Sequence, residues 1–185
     1  MSDRKVILKM VLSLDGFATS PDGTHEWMFE WFGEDSTQRS LSELQDAGVH
    51  AMGRRSYEIM GPYWAASEGP VATAMNGTPK AVFSRTLKHA DWGPAEIVGG
   101  DLSAEIADLK ARDDGGTVLV HGGPGLAASL TRLGLVDEYH LSTVPIAIGA
   151  GRSPFANLDE HLKLDLVEEQ RVRSGALAQV LVPKR

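Results

Sequence analysis

The chain has 185 residues, 42% of them hydrophobic and 23% charged, which predicts a single domain over residues 1–185 with a sizeable core and excludes a disordered chain. No apolar run is long enough to span a bilayer, and the absence of cysteine rules out a disulfide framework or a thiolate metal site. A net charge of −7 argues against non-specific nucleic-acid binding and still leaves room for a local basic pocket.

Residues 1–5 lead straight into a strand-like run with no signal-peptide core, so the expected compartment is the cytoplasm. Residues 6–14 read as a central strand, closed by Asp15-Gly16. A long loop follows, with an Asp22-Gly23 turn and the aromatics Trp27, Phe29, Trp31 and Phe32. That length suits a functional flap better than a plain connection; core or dimer contacts are the other use for its aromatics.

Asp35 or Ser36 is expected to cap a helix running to about residue 47. A buried strand at 49–52 then meets Gly53-Arg54-Arg55-Ser56, which opens a short helical segment. Residues 62–79 carry Gly61, Gly69, Pro70 and Gly77 around them and read as loop. Strands are expected at 80–84 and 96–98, an amphipathic helix at 102–112, and a strand buried on both faces at 117–120. This last strand runs into His121-Gly122-Gly123-Pro124-Gly125 and then a helix. A strand at 136–144 and a terminal hairpin, 162–173 with 176–183 turning at Ser174-Gly175, complete the chain. Strands alternating with helices predict an α/β fold whose sheet is mostly parallel, made mixed by the antiparallel hairpin.

Ligands on such sheets sit beyond the carboxyl ends of the strands, and three polar or glycine-rich turns fall there. Pro124 suits a first helical turn, and the glycine turn points unpaired N–H groups at an anion or serves as a tight structural turn. Arg54 and Arg55 offer planar donors to phosphate oxygens, with Gly53 allowing close approach and Ser56 adding a hydroxyl at a helix start. Ser84, Arg85 and Thr86 repeat that set. Two arginine-bearing turns favour NADPH over NADH, although each arginine also fits a solvated edge. Six histidines show no metal-binding spacing, so no metal is expected.

The runs Ser13-Leu14-Asp15-Gly16-Phe17-Ala18, Ala51-Met52-Gly53-Arg54-Arg55-Ser56-Tyr57-Glu58, Phe83-Ser84-Arg85, Val120-His121-Gly122-Gly123-Pro124 and Val144-Pro145-Ile146-Ala147-Ile148-Gly149 carry a resemblance. The chain resembles the dihydrofolate-reductase-like superfamily, particularly the reductase domain of bacterial riboflavin-pathway deaminase-reductases and its stand-alone relatives. The resemblance implies a three-layer fold with helices on both faces of the sheet. It also implies an NADPH-dependent reductase acting on a small heterocyclic or ribosylamino-pyrimidine substrate. In those terms Gly53, Arg54, Arg55, Ser56, Ser84 and Arg85 take the 2′-phosphate. Gly122, Gly123, Pro124 and Gly125 take the pyrophosphate, and the flap from Asp15 to Ala18 covers the nicotinamide.

Asp15, Trp27, Trp31, Tyr57 and Arg152 are the candidate substrate contacts, the aromatics as walls for a flat ring and Arg152 for an anion. Two departures matter. Phe17 stands where riboflavin-pathway reductases usually carry lysine. Thr37 falls where dihydrofolate reductases place a helix carboxylate, which leaves Asp35 as the catalytic candidate or as a helix cap. A dihydrofolate or pterin reductase and a non-catalytic NADPH-binding module are the alternatives. A homodimer is expected.

Overall fold

The structure is a computed structural model that describes residues 4–112 and 115–184; the expectation for residues 1–3 lies outside that range. The strands are β1 (Val6–Ser13), β2 (Ala47–Gly53), β3 (Lys80–Phe83), β4 (Ala95–Val98), β5 (Thr117–His121), β6 (Glu138–Val144), β7 (Leu164–Arg171) and β8 (Leu177–Pro183). The α-helices are α1 (Glu34–Gln45), α2 (Arg54–Ala65), α3 (Pro70–Gly77), α4 (Leu102–Ala111) and α5 (Pro124–Arg132), and a 3-10 helix spans Glu26–Trp31.

The strands form one eight-stranded sheet in the order β4-β3-β2-β5-β1-β6-β8-β7. Every pairing from β4 to β6 is parallel, and β8 pairs antiparallel with both β6 and β7. The sheet is therefore mixed and mostly parallel, with a terminal antiparallel hairpin as expected. Alternation along the strands sends side chains to two different layers. Val6, Leu8, Val49, Ala51, Val118 and Val120 pack with Ile106 and Leu109 of α4 and Ala127 and Leu130 of α5. Ile7, Met52, Val82 and Leu119 pack with Leu44 of α1, Tyr57 of α2 and Met75 of α3. A third cluster joins Val144, Val172, Ala176 and Ala178 to Trp27 and Trp31.

The expected loop at 62–79 is instead the end of α2 and all of α3. Gly61 is buried in α2 with Trp92 against it; a β-carbon there would lie 3.3 Å from the tryptophan's own β-carbon. That close approach, not a turn, accounts for the glycine. Pro62 sits inside the helix, and Pro70 occupies the first turn of α3 after Gly69, whose φ of +98° ends the preceding loop. Neither Asp35 nor Ser36 caps α1. Gly33 is the cap residue, and the Ser36 hydroxyl reaches back to accept its N–H at 2.8 Å.

Strand β7 is the exposed edge, with Leu166 and Val167 uncovered beside Asp165, Glu168 and Glu169. A register shift between Leu166 and Glu168 and the line of charge blunt that edge against further pairing. Because β4, β3, β2, β5, β1 and β6 all run the same way, their last residues Val98, Phe83, Gly53, His121, Ser13 and Val144 share one rim.

Candidate functional site

At that rim β2 passes directly into α2 at Gly53, whose extended backbone (φ −76°, ψ 161°) leaves the first amides of the helix without intrahelical partners. The neighbouring strand β5 ends in Gly122 and Gly123, both with positive φ, before Pro124 starts α5. A β-carbon at Gly123 would lie 3.1 Å from Ser56 Oγ and 3.7 Å from the Gly53 amide nitrogen. The arginine-bearing and glycine-bearing turns are thus in contact. At Gly122 and Gly125 an added β-carbon would meet only open space, so both line a cradle that a side chain would fill. A groove of about 340 Å³ opens beside them, lined by Gly53, Phe83, Ser84, Arg85, Leu126 and Ser129 among others.

Arg54 is half exposed and aimed along the rim. Its Nε donates to Glu58 at 2.7 Å and its Nη1 to the Thr86 hydroxyl at 2.9 Å, tying the β2 turn to the β3 turn. Ser84 Oγ accepts from the amides of Thr86 and Leu87 at 3.2 and 2.9 Å, which shapes the second turn. Arg85 is exposed on the groove and makes no hydrogen bond or ion pair among the described residues. The groove also draws on Gly99, Gly100, Leu102, Leu126 and Ser129, which sequence reasoning did not assign to the site. Gly99-Gly100 after β4 is a further strand-to-glycine-to-helix turn, and Leu126 and Ser129 stand three apart on one face of α5; both signals were present.

The flap is anchored by groups expected to meet ligands. The Asp15 carboxylate accepts the Ser13 hydroxyl at 2.7 Å and the amides of Ile148 and Gly149 at 3.2 and 2.7 Å. These bonds, the Ser13 hydroxyl foremost, hold its carboxyl below the usual range. Asp15 thus clasps the loop after β6. Ala18, 3% exposed, donates its amide to Arg152 O at 2.8 Å. The Arg152 guanidinium lies 3.5 Å from Pro21 O, and that of Arg55 donates to Asp22 O at 3.2 Å. Both side chains are turned to the flap tip.

Two other expectations meet a physical obstacle. Tyr57 is 6% exposed in the core, its ring 5.6 Å from that of Trp92 and its hydroxyl accepting the Trp92 amide at 2.6 Å. It therefore cannot wall a substrate. Asp35 accepts the Arg173 amide at 3.0 Å, which lowers its carboxyl and ties α1 to the β7–β8 turn. A carboxylate kept ionised in this way is a poor proton donor. Trp27 and Trp31 are half buried against the third cluster, with indole N–H groups that are buried and unpartnered.

Beneath α1–α3, five adjacent strands each direct one basic residue to the same face: Lys80, His50, His121, Lys9 and His140. The His50 and His121 rings are 4.6 Å apart, and three of their nitrogens are buried without partners. Burial first, and the charge of Lys80 second, push the His50 pKa down to about 3; burial likewise drives His121 well below its ordinary value. Lys9 pairs with Glu43, which also meets His140 Nδ1 at 2.9 Å. Its middle member, His121, is the last residue of β5, directly before the glycine turn.

Comparison with known proteins agrees with this geometry. The family model for the RibD C-terminal domain matches residues 4–178. The uncharacterized protein YyaP of Bacillus subtilis is 27% identical over 182 residues, covering 96% of this chain and 94% of YyaP. The riboflavin biosynthesis protein RibD of Corynebacterium ammoniagenes is 31% identical over 191 residues, covering 92% of this chain and 52% of RibD, so the chain spans about half of that relative. Among solved structures, a Shewanella sp. PV-4 protein assigned to riboflavin biosynthesis superposes with a TM-score of 0.81 at 21% identity, over 98% of this chain and 99% of that one. Dihydrofolate reductase from Enterococcus faecalis, complexed with NADP(H), superposes with a TM-score of 0.64 at 10% identity, over 98% and 97%. The fold is dihydrofolate-reductase-like.

Proposed function

The chain belongs to the RibD C-terminal domain family, and from that premise we propose that it is an NADPH-dependent reductase of a small heterocyclic or ribosylamino-pyrimidine substrate. One observation carries the reading: two anion-receptive turns from neighbouring parallel strands touch at one rim and open onto one groove. Arg54, Arg85, Ser56 and Ser84 supply donors for a ribose 2′-phosphate, and the amides at Gly122, Gly123 and Gly125 supply donors for a pyrophosphate. Pro124 starts α5 beside that cradle, where its missing N–H costs the helix nothing. Phe83, Val98, Leu102 and Leu126 give the groove apolar walls suited to a flat base.

When bound, NADPH supplies the hydride; the chain orients it and excludes water with the flap. Asp15 holds the flap root, and Ala18 is locked to Arg152 beneath it. We assign no catalytic role to Asp35, whose carboxylate is committed to the Arg173 amide. A pterin reductase is less well supported, because the exposed Thr37 directs its hydroxyl to Gly33 O at 2.8 Å and offers no acid.

We further propose a cytoplasmic homodimer. Among the described residues no helix is long and apolar enough to cross a membrane. Phe29 and Phe32, 51% and 49% exposed with their rings 5.8 Å apart, offer an apolar patch for a second copy. The reductase reading is tested by titrating the purified protein with NADPH and NADH, then following NADPH oxidation with 5-amino-6-(5-phosphoribosylamino)uracil and with dihydrofolate. Selective NADPH binding with turnover of the pyrimidine is expected. Binding without turnover of either would leave a non-catalytic module, and no binding at all would overturn the reading.

A further inference from the structure

We propose that Arg55 is a flap-positioning residue rather than a phosphate ligand, pinning the flap tip to the start of α2 and so coupling flap closure to the cofactor turn. The inference rests on the NADPH-reductase reading of this site. Adjacent residues on a helix leave it in different directions. Arg54 goes to Glu58 and to Thr86 of the β3 turn, while Arg55 goes to Asp22 O.

Gly23 is shaped for that contact. Its φ is +94°, and a β-carbon there would fall 2.6, 2.8 and 2.9 Å from Nη2, Cζ and Nη1 of Arg55. The guanidinium therefore occupies the space where any other residue would place its side chain. The tip it holds is already closed on itself. Gly23 N donates to Ser20 O at 2.9 Å, Ser20 N to Thr24 O at 2.8 Å, and Asp22 Oδ1 accepts both the amide and the hydroxyl of Thr24. Fixing Asp22 O thus fixes the whole turn.

A second anchor lies across the sheet. Thr19 and Arg152 form a bridge, with Ala18 N donating to Arg152 O and Arg152 N to Thr19 O at 2.8 and 2.9 Å. Arg55 stands after β2 and Arg152 after β6, and between those strands lie only β5 and β1. The flap is a strap held at both ends across the strands that carry the glycine turn and the flap root.

The test uses Arg55→Ala, Arg55→Lys and Gly23→Ala, with Arg54→Ala as contrast. In the cofactor-free protein, amide hydrogen exchange at residues 18–24 rises about tenfold in Arg55→Ala and in Gly23→Ala, the size expected of one charge-assisted hydrogen bond. The double variant exchanges no faster than Gly23→Ala alone, whose backbone is already strained at this φ, Arg55→Lys restores part of the protection, and β5 amides are unchanged. In titrations Arg55→Ala weakens NADPH and NADH by the same factor, whereas Arg54→Ala weakens NADPH selectively. Unchanged flap exchange in Arg55→Ala, or a loss of nucleotide discrimination as large as that of Arg54→Ala, would overturn the proposal. Wild-type protein that binds neither nucleotide would sink the reductase reading and the coupling, while the exchange data still decide whether Arg55 holds the strap.

Discussion

The two faces of the sheet are built on different terms. Under α4 and α5 the central strands present only apolar side chains, among them Leu8, Ala51, Val118 and Val120, each 0% exposed. Under α1–α3 the same strands interleave apolar residues with Lys80, His50, His121 and Lys9. Burying hydrocarbon is favourable in proportion to area, whereas burying an imidazole with unpartnered nitrogens is costly. The first face holds the sheet together, and the second carries polar groups inward to the rim where the glycine turn begins. The apolar walls of the groove, Phe83, Val98, Leu102 and Leu126, belong to the α4–α5 side as well, whereas the polar row is buried on the other.

The largest effect that sharpens this contrast is set by pH. The His50 pKa is about 3 in the folded protein against an ordinary 6.5, so the unfolded chain binds the proton first. Stability then falls as pH drops from 6.5 towards 3, by up to about 5 kcal/mol from this residue. Urea titrations across that range should show the loss, and His50→Leu should make it shallower, His121 keeping its own share, while leaving neutral-pH stability no lower. An equally steep acid limb in the variant would break the contrast.

On the apolar face, Leu8→Ala should cost about 3 kcal/mol at every pH, read from the same titrations. At the rim, Arg54→Ala should weaken NADPH by roughly 30-fold, about 2 kcal/mol, with little change for NADH. Calorimetric titration of both nucleotides checks this, and equal losses would show that the 2′-phosphate is not bound there. The smallest effect is expected from Asp35→Asn, which keeps an acceptor for the Arg173 amide and should leave stability almost unchanged. Its turnover should stay near wild type; a loss of two orders of magnitude would restore Asp35 as the proton donor.

Much of the fold was legible from local signals. The run Thr117–His121 is buried almost throughout and reads as an interior strand, and the hairpin turning at Gly175 falls where its turn residues stand. The helices at 62–77 were not, because glycine and proline there answer to packing under Trp92 and to a helix start rather than to loops. The site divides in the same way. Gly53, Arg54, Ser84 and the glycine turn announced themselves at strand ends. Tyr57, in the same motif, proved to be core, since the helix turns it inward against Trp92.

The sequence alone determined the alternation of strand and helix, the mostly parallel sheet, and therefore that the glycine and arginine turns share a rim. Those properties follow from periodicity and turn chemistry, which act over a few residues. Only the tertiary structure decided what each polar side chain does: Asp15 clasps the loop at 148–149, Asp35 ties α1 to the Arg173 amide, and Arg55 lies against Gly23. The distances that set those partners join segments far apart in the chain, and no local pattern encodes them.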